Sequence, residues 1–380
     1  MNIGYDAKRA LFNRSGLGNY SRSTIRLLSL FYPENKYYLF TPKNSKDLFQ
    51  PSGNQFIIEP EPGIPALFPS IWRTWGIHRQ IKNQKTDIYH GLSNELPWSI
   101  KKTGIKSVVT IHDLIFLRFP EYYQVIDRQI YFFKFRHACR VADRIIATSE
   151  ATKADIITFF GTDPQKIEVV YQTCDPVFSV LVSEEIKAEV RKKYELPETF
   201  ILYLGTIEKR KNALTLIKAY MNTNSNVPLL IAGKPTAYLS EINDFLKQNP
   251  AGNSIIFRHT IESADLPALY QSASLFIYPS VFEGFGIPIL EALYSGVPVV
   301  TSTGSCFAET GGDAALYCDP YDVQQMSMCI SKVLIDPDAR ESMIKKGFAH
   351  ASKFDEVNVA SNLMKVYQNL LEKKIQPELT

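Results

Sequence analysis

The chain has 380 residues, which at roughly 150 residues per domain favours two domains. The 42 Lys and Arg against 39 Asp and Glu leave a formal net charge of +3, which argues against nucleic acid as a partner held by bulk charge. Hydrophobic residues at 45% and charged residues at 21% exclude global disorder, and the five cysteines contain no C-x-x-C pair, so a disulfide framework is not expected. The opening Met1–Asp6 lacks the pattern of a secretion signal, and no uncharged apolar run reaches about 18 residues. A cytoplasmic protein is therefore expected, with peripheral contact at the inner face of a membrane left open.

Short apolar runs alternate with helical patterns along the whole chain. After an opening strand comes Ser15-Gly16-Leu17-Gly18-Asn19-Tyr20, read as a turn before a helix near Ser21–Leu30. Strands are predicted at Tyr37–Thr41, Val108–Ile111, Arg144–Thr148 and Ile167–Val170. A second series follows at Phe200–Leu204, Pro228–Ile231, Ser254–Phe257, Leu275–Tyr278 and Val297–Thr301. These runs carry few charges, as strands covered on both faces require. Between them Ser149–Phe160 reads as a capped helix, and Asn212–Tyr220 as another. Strand and helix in alternation give parallel sheets, so the fold class is α/β with two Rossmann-like, doubly wound domains facing across a cleft. The boundary falls between residues 178 and 179: an N-terminal, acceptor-side domain 1–178, a second domain 179–356, and a final amphipathic helix 357–380 returning to the first.

Four stretches carry candidate chemistry. Gly16 and Gly18 precede a helix and would let backbone N–H groups approach an anion, although an ordinary tight turn explains them equally well. His112 ends a strand in Thr110-Ile111-His112-Asp113, a position that suits either a cleft or a satisfied structural histidine. Lys209-Arg210-Lys211 sits before a helix, where three cations oppose the macrodipole unless an anion joins them. Arginine offers phosphate a planar fork, and lysine a point charge.

The most informative stretch is Tyr278 to Ala292, with Glu283-Gly284-Phe285-Gly286-Ile287-Pro288 followed by Glu291. Pro288 suits the first turn of a new helix. Eight helical residues would separate Glu283 from Glu291 by about 12 Å, too far to flank one glycosidic bond. The two carboxylates therefore suit the two ends of one elongated ligand, Glu291 on a ribose diol and Glu283 on a sugar.

These residues resemble the GT-B glycosyltransferases, in particular the retaining enzymes of family 4. The E-x7-E element is Glu283 through Glu291, and similar patterns stand at Gly16–Tyr20, His112-Asp113-Leu114, Ala142–Ala147, Gly205-Thr206 through Asn212, and Gly312–Leu316. The resemblance implies a nucleotide-sugar donor held mainly by the C-terminal domain, transfer with retention, and no required metal or other cofactor. Lys211 and Arg210 would hold the donor diphosphate, with Thr206 beside them. Glu291 would bind ribose, Glu283 with Gly284, Phe285, Gly286 and Ile287 the sugar. Gly18 would close over the phosphates, and His112 would sit by the transferred sugar. The base would be read around Gly233 and Ile261. Many relatives carry Arg where Thr206 stands, which leaves the second phosphate ligand open.

GDP-mannose leads as donor and a saccharide or lipid-linked acceptor is implied, in bacterial polysaccharide assembly. A UDP-sugar-dependent transferase and a GT-B sugar-nucleotide epimerase are the competing readings. An NAD-dependent oxidoreductase would need a G-x-G-x-x-G turn that neither half contains. The stretch Ile64–Ile81, with Phe68, Trp72, Trp75, Arg73 and Arg79, could face a membrane. The expectation is that its aromatics, like those of Tyr131–Arg140, are packed.

Overall fold

The computed structural model describes residues 1–45, 47–62, 67–223, 225–250 and 255–372. The chain divides into two compact units, Cys174–Asp355 forming one, and Met1–Thr173 with the helix that starts at Glu356 forming the other. The division after Thr173 comes five residues earlier than the sequence reading placed it. The Pro176–Ser179 turn packs into the second unit, with the Phe178 ring 5.6 Å from that of Tyr270 and its carbonyl accepting from Ser295 Oγ at 3.3 Å.

The first unit is built on a parallel sheet of seven strands in the order β3-β2-β1-β4-β5-β6-β7. The strands are β1 (Asn2–Asp6), β2 (Lys36–Phe40), β3 (Gln55–Ile58), β4 (Ile88–Gly91), β5 (Lys106–Ile111), β6 (Arg144–Ala147) and β7 (Ile167–Val169). The second unit has six parallel strands in the order β10-β9-β8-β11-β12-β13. These are β8 (Phe200–Leu204), β9 (Leu229–Ala232), β10 (Ile255–Arg258), β11 (Ala273–Tyr278), β12 (Val299–Ser302) and β13 (Ala315–Cys318). Both are doubly wound α/β sheets, with Val108, Val109 and Ile111 of β5 and Phe200, Ile201 and Leu202 of β8 fully buried. Of the predicted strand at 254–257, Ser254 lies outside the described residues, as does Ile64 of the aromatic stretch.

Local chemistry sets the helix ends. Ser149 Oγ accepts from Thr152 N at 3.0 Å, and Gly161 closes that helix at φ +62°, a left-handed turn that favours glycine. The final helix, Glu356–Glu372, buries Leu363, Met364, Tyr367 and Leu370 against β1 and β2 of the first unit. Residues 373–380 lie outside the described set. The predicted turn at Ser15–Tyr20 is corrected: the helix already starts at Gly16 and runs to Phe31. A Cβ on Gly18 would stand 1.9 Å from the Asn13 carbonyl oxygen, so the glycine there serves close packing of the first helical turn.

The packed-aromatic expectation holds in part. Trp72 and Phe135 are buried, whereas Phe68, Trp75 and Phe133 stand more than half exposed. Among the described residues no helix is long and apolar enough to cross a membrane.

Candidate active site

In the second unit, the residues that follow β8 and β11 meet. After β8, Gly205 at φ +155° turns the chain, and Lys209–Lys211 form a short 3-10 turn rather than the start of the helix. The helix itself runs Ala213–Met221. Asn212 takes φ +64°, a left-handed conformation that Asn tolerates better than most residues, and its Nδ2 donates to Pro279 O at 3.1 Å and Pro320 O at 2.6 Å. Val281 N donates to Arg210 O at 2.9 Å, and Arg210 Nη1 to Phe282 O at 2.7 Å. One main-chain bond and the Arg210 and Asn212 side chains thus fasten the cationic turn to the glycine-rich loop that ends β11.

Those bonds place Glu283 between two cations. Its Oε1 lies 2.7 Å from Arg210 Nη1 and 2.6 Å from Lys211 Nζ, while Glu208 Oε1 holds Arg210 Nη2 at 2.7 Å. Lys211 Nζ also donates to the Tyr278 hydroxyl at 2.6 Å and sits 4.8 Å from that ring's centre. From behind, Ser305 Oγ accepts from Glu283 N at 3.0 Å and reaches Glu283 O at 2.8 Å. Burial works to raise the Glu283 carboxyl, but Arg210 and Lys211 outweigh it and bring its pKa down to about 2. Burial likewise pulls the Lys211 ammonium down, and the Glu283 charge opposes that pull. Arg210 stays firmly charged: burial disfavours the guanidinium, but Glu283 and Glu208 outweigh it.

Gly286 (φ +99°) leads the helix Ile287–Tyr294, with Pro288 in its first turn. Thr310 Oγ1 donates to Phe285 O at 2.9 Å, and the Phe285 side chain is buried against Phe354. Glu291, in the same helix, accepts from the Tyr270 hydroxyl at 2.8 Å. Burial raises its carboxyl to about 7, with Tyr270 opposing and Asp175 adding to the rise. The rings of Tyr270, Phe276 and Tyr278 run in contact, at 5.1 and 6.0 Å, from Glu291 to the Lys211 end.

The remaining candidates of this unit fall near strand ends. Thr206 O accepts from Glu208 N at 2.9 Å and so shapes the cationic turn. Gly233 (φ +145°) follows β9, and a Cβ there would stand 1.9 Å from Gly205 O, so only glycine lets the two strand ends approach this closely. Ile261 packs beside Val190, Tyr194 and Ala268.

Gly18 and His112 belong to the first unit. His112 is buried, its N–H bonded to Asn94 Oδ1 at 2.8 Å and its ring Nε2 2.9 Å from Leu92 O. A carbonyl only accepts, so Nε2 carries the hydrogen and Nδ1 is an acceptor. Burial lowers its pKa to about 4, so the ring is neutral at pH 7. The ring meets Tyr20 edge-on at 4.6 Å. Tyr20 belongs to a buried chain that sequence reasoning did not find: its hydroxyl bonds Thr110 Oγ1 at 2.9 Å, Thr110 bonds His90 Nε2 at 2.8 Å, and His90 Nδ1 bonds the Tyr367 hydroxyl at 2.6 Å. Tyr278, Tyr270 and Ser305 were likewise not singled out. The first two are ordinary strand and helix aromatics in sequence, and only the fold gives them a carboxylate or ammonium partner.

Two parallel α/β units and a cation–carboxylate turn fastened to a glycine-led helix define a glycosyltransferase of the GT-B type. Residues 184–350 match the family model described as Glycosyl transferases group 1, and residues 29–178 match Glycosyltransferase Family 4. The chain is 32% identical over 296 residues to the O-antigen chain mannosyltransferase B of Escherichia coli, covering 76% of each protein. It is 29% identical over 289 residues to the serotype-specific mannosyltransferase WbdA of Escherichia coli, a match that spans 74% of this chain and 34% of that longer protein. Among solved structures, sucrose-phosphate synthase from Thermosynechococcus elongatus superposes with a TM-score of 0.79 at 20% identity, covering 98% of this chain and all of that one. Anabaena Alr3699/HepE in complex with UDP and glucose gives 0.73 at 17%, covering 97% of this chain and 100% of that one. At those identities the likeness is one of fold. The chain belongs to the family-4 glycosyltransferases.

Proposed function

We propose that this glycosyltransferase moves mannose from GDP-mannose to a saccharide or lipid-linked acceptor in polysaccharide assembly, with retention at the anomeric carbon and without a divalent metal. The observation that carries the reading is the Arg210–Lys211–Glu283 cluster, joined through one glycine-rich loop to the helix that holds Glu291. The mannosyltransferase names of the two Escherichia coli relatives support the choice of sugar.

Transfer breaks the bond between the anomeric carbon and the diphosphate oxygen, and negative charge grows on that oxygen. Arg210 and Lys211 would stabilise it as fixed cations that need no reorganisation. The hydrogen bonds to Tyr278 and Phe282 hold the two side chains in place before the donor arrives. With two cations to meet the diphosphate, charge that a metal ion supplies in other transferases would come from side chains. Glu291 would accept the two ribose hydroxyls in its ionised form, and Glu283 would orient the sugar while keeping Lys211 protonated. The acceptor hydroxyl would add to the anomeric carbon on the face the diphosphate leaves, and its proton would pass to the departing phosphate oxygen. His112 of the first unit is neutral at pH 7, with Nδ1 as a hydrogen-bond acceptor.

The test is a donor panel of GDP-, UDP- and ADP-linked hexoses, run with and without oligosaccharide acceptor and with chelator present. Product configuration is read by NMR. Acceptor-dependent release of GDP with an α-linked mannose product, unaffected by chelator, is expected. Acceptor-independent isomerisation of the donor would instead establish an epimerase.

A further inference from the structure

The charged side chains of the cationic turn and the glycine-rich loop cancel one another. Arg210 and Lys211 carry the positive charge, Glu208 and Glu283 the negative. The two acids differ in what they hold and where they lie. Glu208 pairs with Arg210 and is 37% exposed, so water can satisfy it when its partner is drawn away. Glu283 is 12% exposed and sets one oxygen, Oε1, 2.7 Å from Arg210 Nη1 and 2.6 Å from Lys211 Nζ. A phosphate oxygen held by both cations needs the position that Oε1 fills.

The loop does not depend on that carboxylate for its shape. Ser305 Oγ accepts from Glu283 N at 3.0 Å and donates to its carbonyl at 2.8 Å, and Cys306 Sγ donates to the same carbonyl at 3.3 Å. Arg210 keeps Phe282 O and Glu208, both at 2.7 Å, and Lys211 keeps the Tyr278 hydroxyl at 2.6 Å. The Glu283 carboxylate can therefore swing about its side-chain torsions while the backbone and both cations stay in place.

A displaced carboxylate in so buried a position requires new donors, because an unpaired buried charge is costly. Sugar hydroxyls are such donors, and their bonds to a carboxylate are short and strong. An intact sugar nucleotide brings both the phosphates that displace Glu283 and the hydroxyls that receive it. The spent nucleoside diphosphate brings the phosphates only, and leaves the carboxylate buried beside another anion.

We propose that Glu283 is a specificity-determining residue, which holds the diphosphate position and yields it readily only to a nucleotide that still carries its sugar. The spent nucleotide is thereby expelled, a step that limits turnover in many enzymes. The inference rests on the diphosphate site proposed above, and adds that one carboxylate there tells donor from product.

The experiment is calorimetric titration, without acceptor, of inorganic pyrophosphate, GDP and GDP-mannose, or of the nucleotide pair that the donor panel selects. Glu283→Gln keeps the shape and removes the charge. It should bind pyrophosphate and GDP more than about tenfold tighter than the parent, the scale of one hydrogen bond to a charged group, and GDP-mannose no tighter. Glu208→Gln removes the same charge from the same cluster and should tighten all three alike, leaving the ratio of the GDP and GDP-mannose Kd values as in the parent. The proposal is overturned if Glu283→Gln fails to tighten pyrophosphate and GDP, or if Glu208→Gln shifts the ratio equally. Should Glu283→Gln not fold, hydrogen exchange in the parent decides. GDP should leave residues 279–286 exchanging faster than GDP-mannose does, and equal protection by the two overturns the proposal. Lys211→Ala tests the underlying site separately. Pyrophosphate affinity equal to the parent's would remove the diphosphate from the cationic turn, whereas a loss there without the Glu283→Gln gain would sink this proposal alone.

Discussion

Lys211 Nζ lies 2.6 Å from Glu283 Oε1, and the two side chains, 72 positions apart in sequence, are only 14% and 12% exposed. Arg210 closes on the same oxygen, so one carboxylate answers two cations. Removing one partner of a buried ion pair leaves uncompensated charge and costs about 3–5 kcal/mol. Glu283→Gln should therefore lower the melting temperature and also reduce turnover. Because the folded carboxyl titrates near 2 against an ordinary 4.5, its contribution is full above pH 4.5 and fades as pH falls toward 2. Thermal melts of parent and variant from pH 3 to 7 should converge at the acid end. Parallel curves would show that the charge of Glu283 does not stabilise the fold.

Glu291 behaves in the opposite sense. Its carboxyl is raised to about 7, so the folded protein favours the protonated form. Stability from this group is present below the ordinary value of 4.5 and declines as pH rises toward 7. In the role proposed for Glu291, the ionised form would accept the ribose hydroxyls, so donor affinity should strengthen between pH 6 and 8. Glu291→Gln should flatten both trends, read by calorimetric titration of GDP and by thermal melts across that range. An unchanged pH slope in the variant would assign the titration elsewhere.

Two neighbouring glycines make a sharper contrast than either alone. Nothing lies within 4 Å of a Cβ built on Gly16, whereas one on Gly18 meets Asn13 O at 1.9 Å. Gly16→Ala should be neutral or stabilise by about 0.5–1 kcal/mol through the unfolded chain. Gly18→Ala must displace backbone and should cost more than about 1 kcal/mol, measured by urea denaturation. Equal effects at both positions would contradict the packing described for this helix start.

His112 and His90 are both buried and neutral, with pKa values lowered to about 4 and about 3, chiefly by burial. The folded state resists their protonation, so stability should rise from pH 4 to pH 6.5 and level off above it. Tyr367→Phe removes the hydroxyl on His90 Nδ1 and should cost about 1–3 kcal/mol, loosening the last helix from the first unit. Hydrogen exchange at residues 356–372 reads that loosening directly. Protection unchanged from the parent would show that the Tyr367 hydroxyl does not anchor the helix.

Much of the architecture was legible because parallel strands buried on both faces must be apolar runs, as Val108–Ile111 and Phe200–Leu204 are. Strand Ile88–Gly91 was not, since His90 interrupts its apolar character and is satisfied by Tyr367, 277 positions away. Strands Gln55–Ile58 and Ala315–Cys318 are short and only partly buried, which weakens the same signal. The helix start at Gly16 was hidden because two glycines lower local helix propensity, and the contact that requires Gly18, with the Asn13 carbonyl, exists only once the chain has folded back there. In the candidate site, Arg210, Lys211, Glu283 and Glu291 were all visible as residues. That Glu283 faces the two cations was not, because the bonds fastening the two loops all end on backbone carbonyls far apart in sequence, reached by Val281 N, the Arg210 guanidinium and the Asn212 amide.

The central claim is that the cationic turn stabilises a departing diphosphate. The most direct measurement is kcat/KM for GDP-mannose in Lys211→Ala, whose Glu283 keeps Arg210 as partner and whose fold is checked by its melting temperature. The account predicts a loss well beyond tenfold, or about 1.4 kcal/mol, carried mainly by kcat. A folded variant that retains near-parental kcat/KM would contradict it.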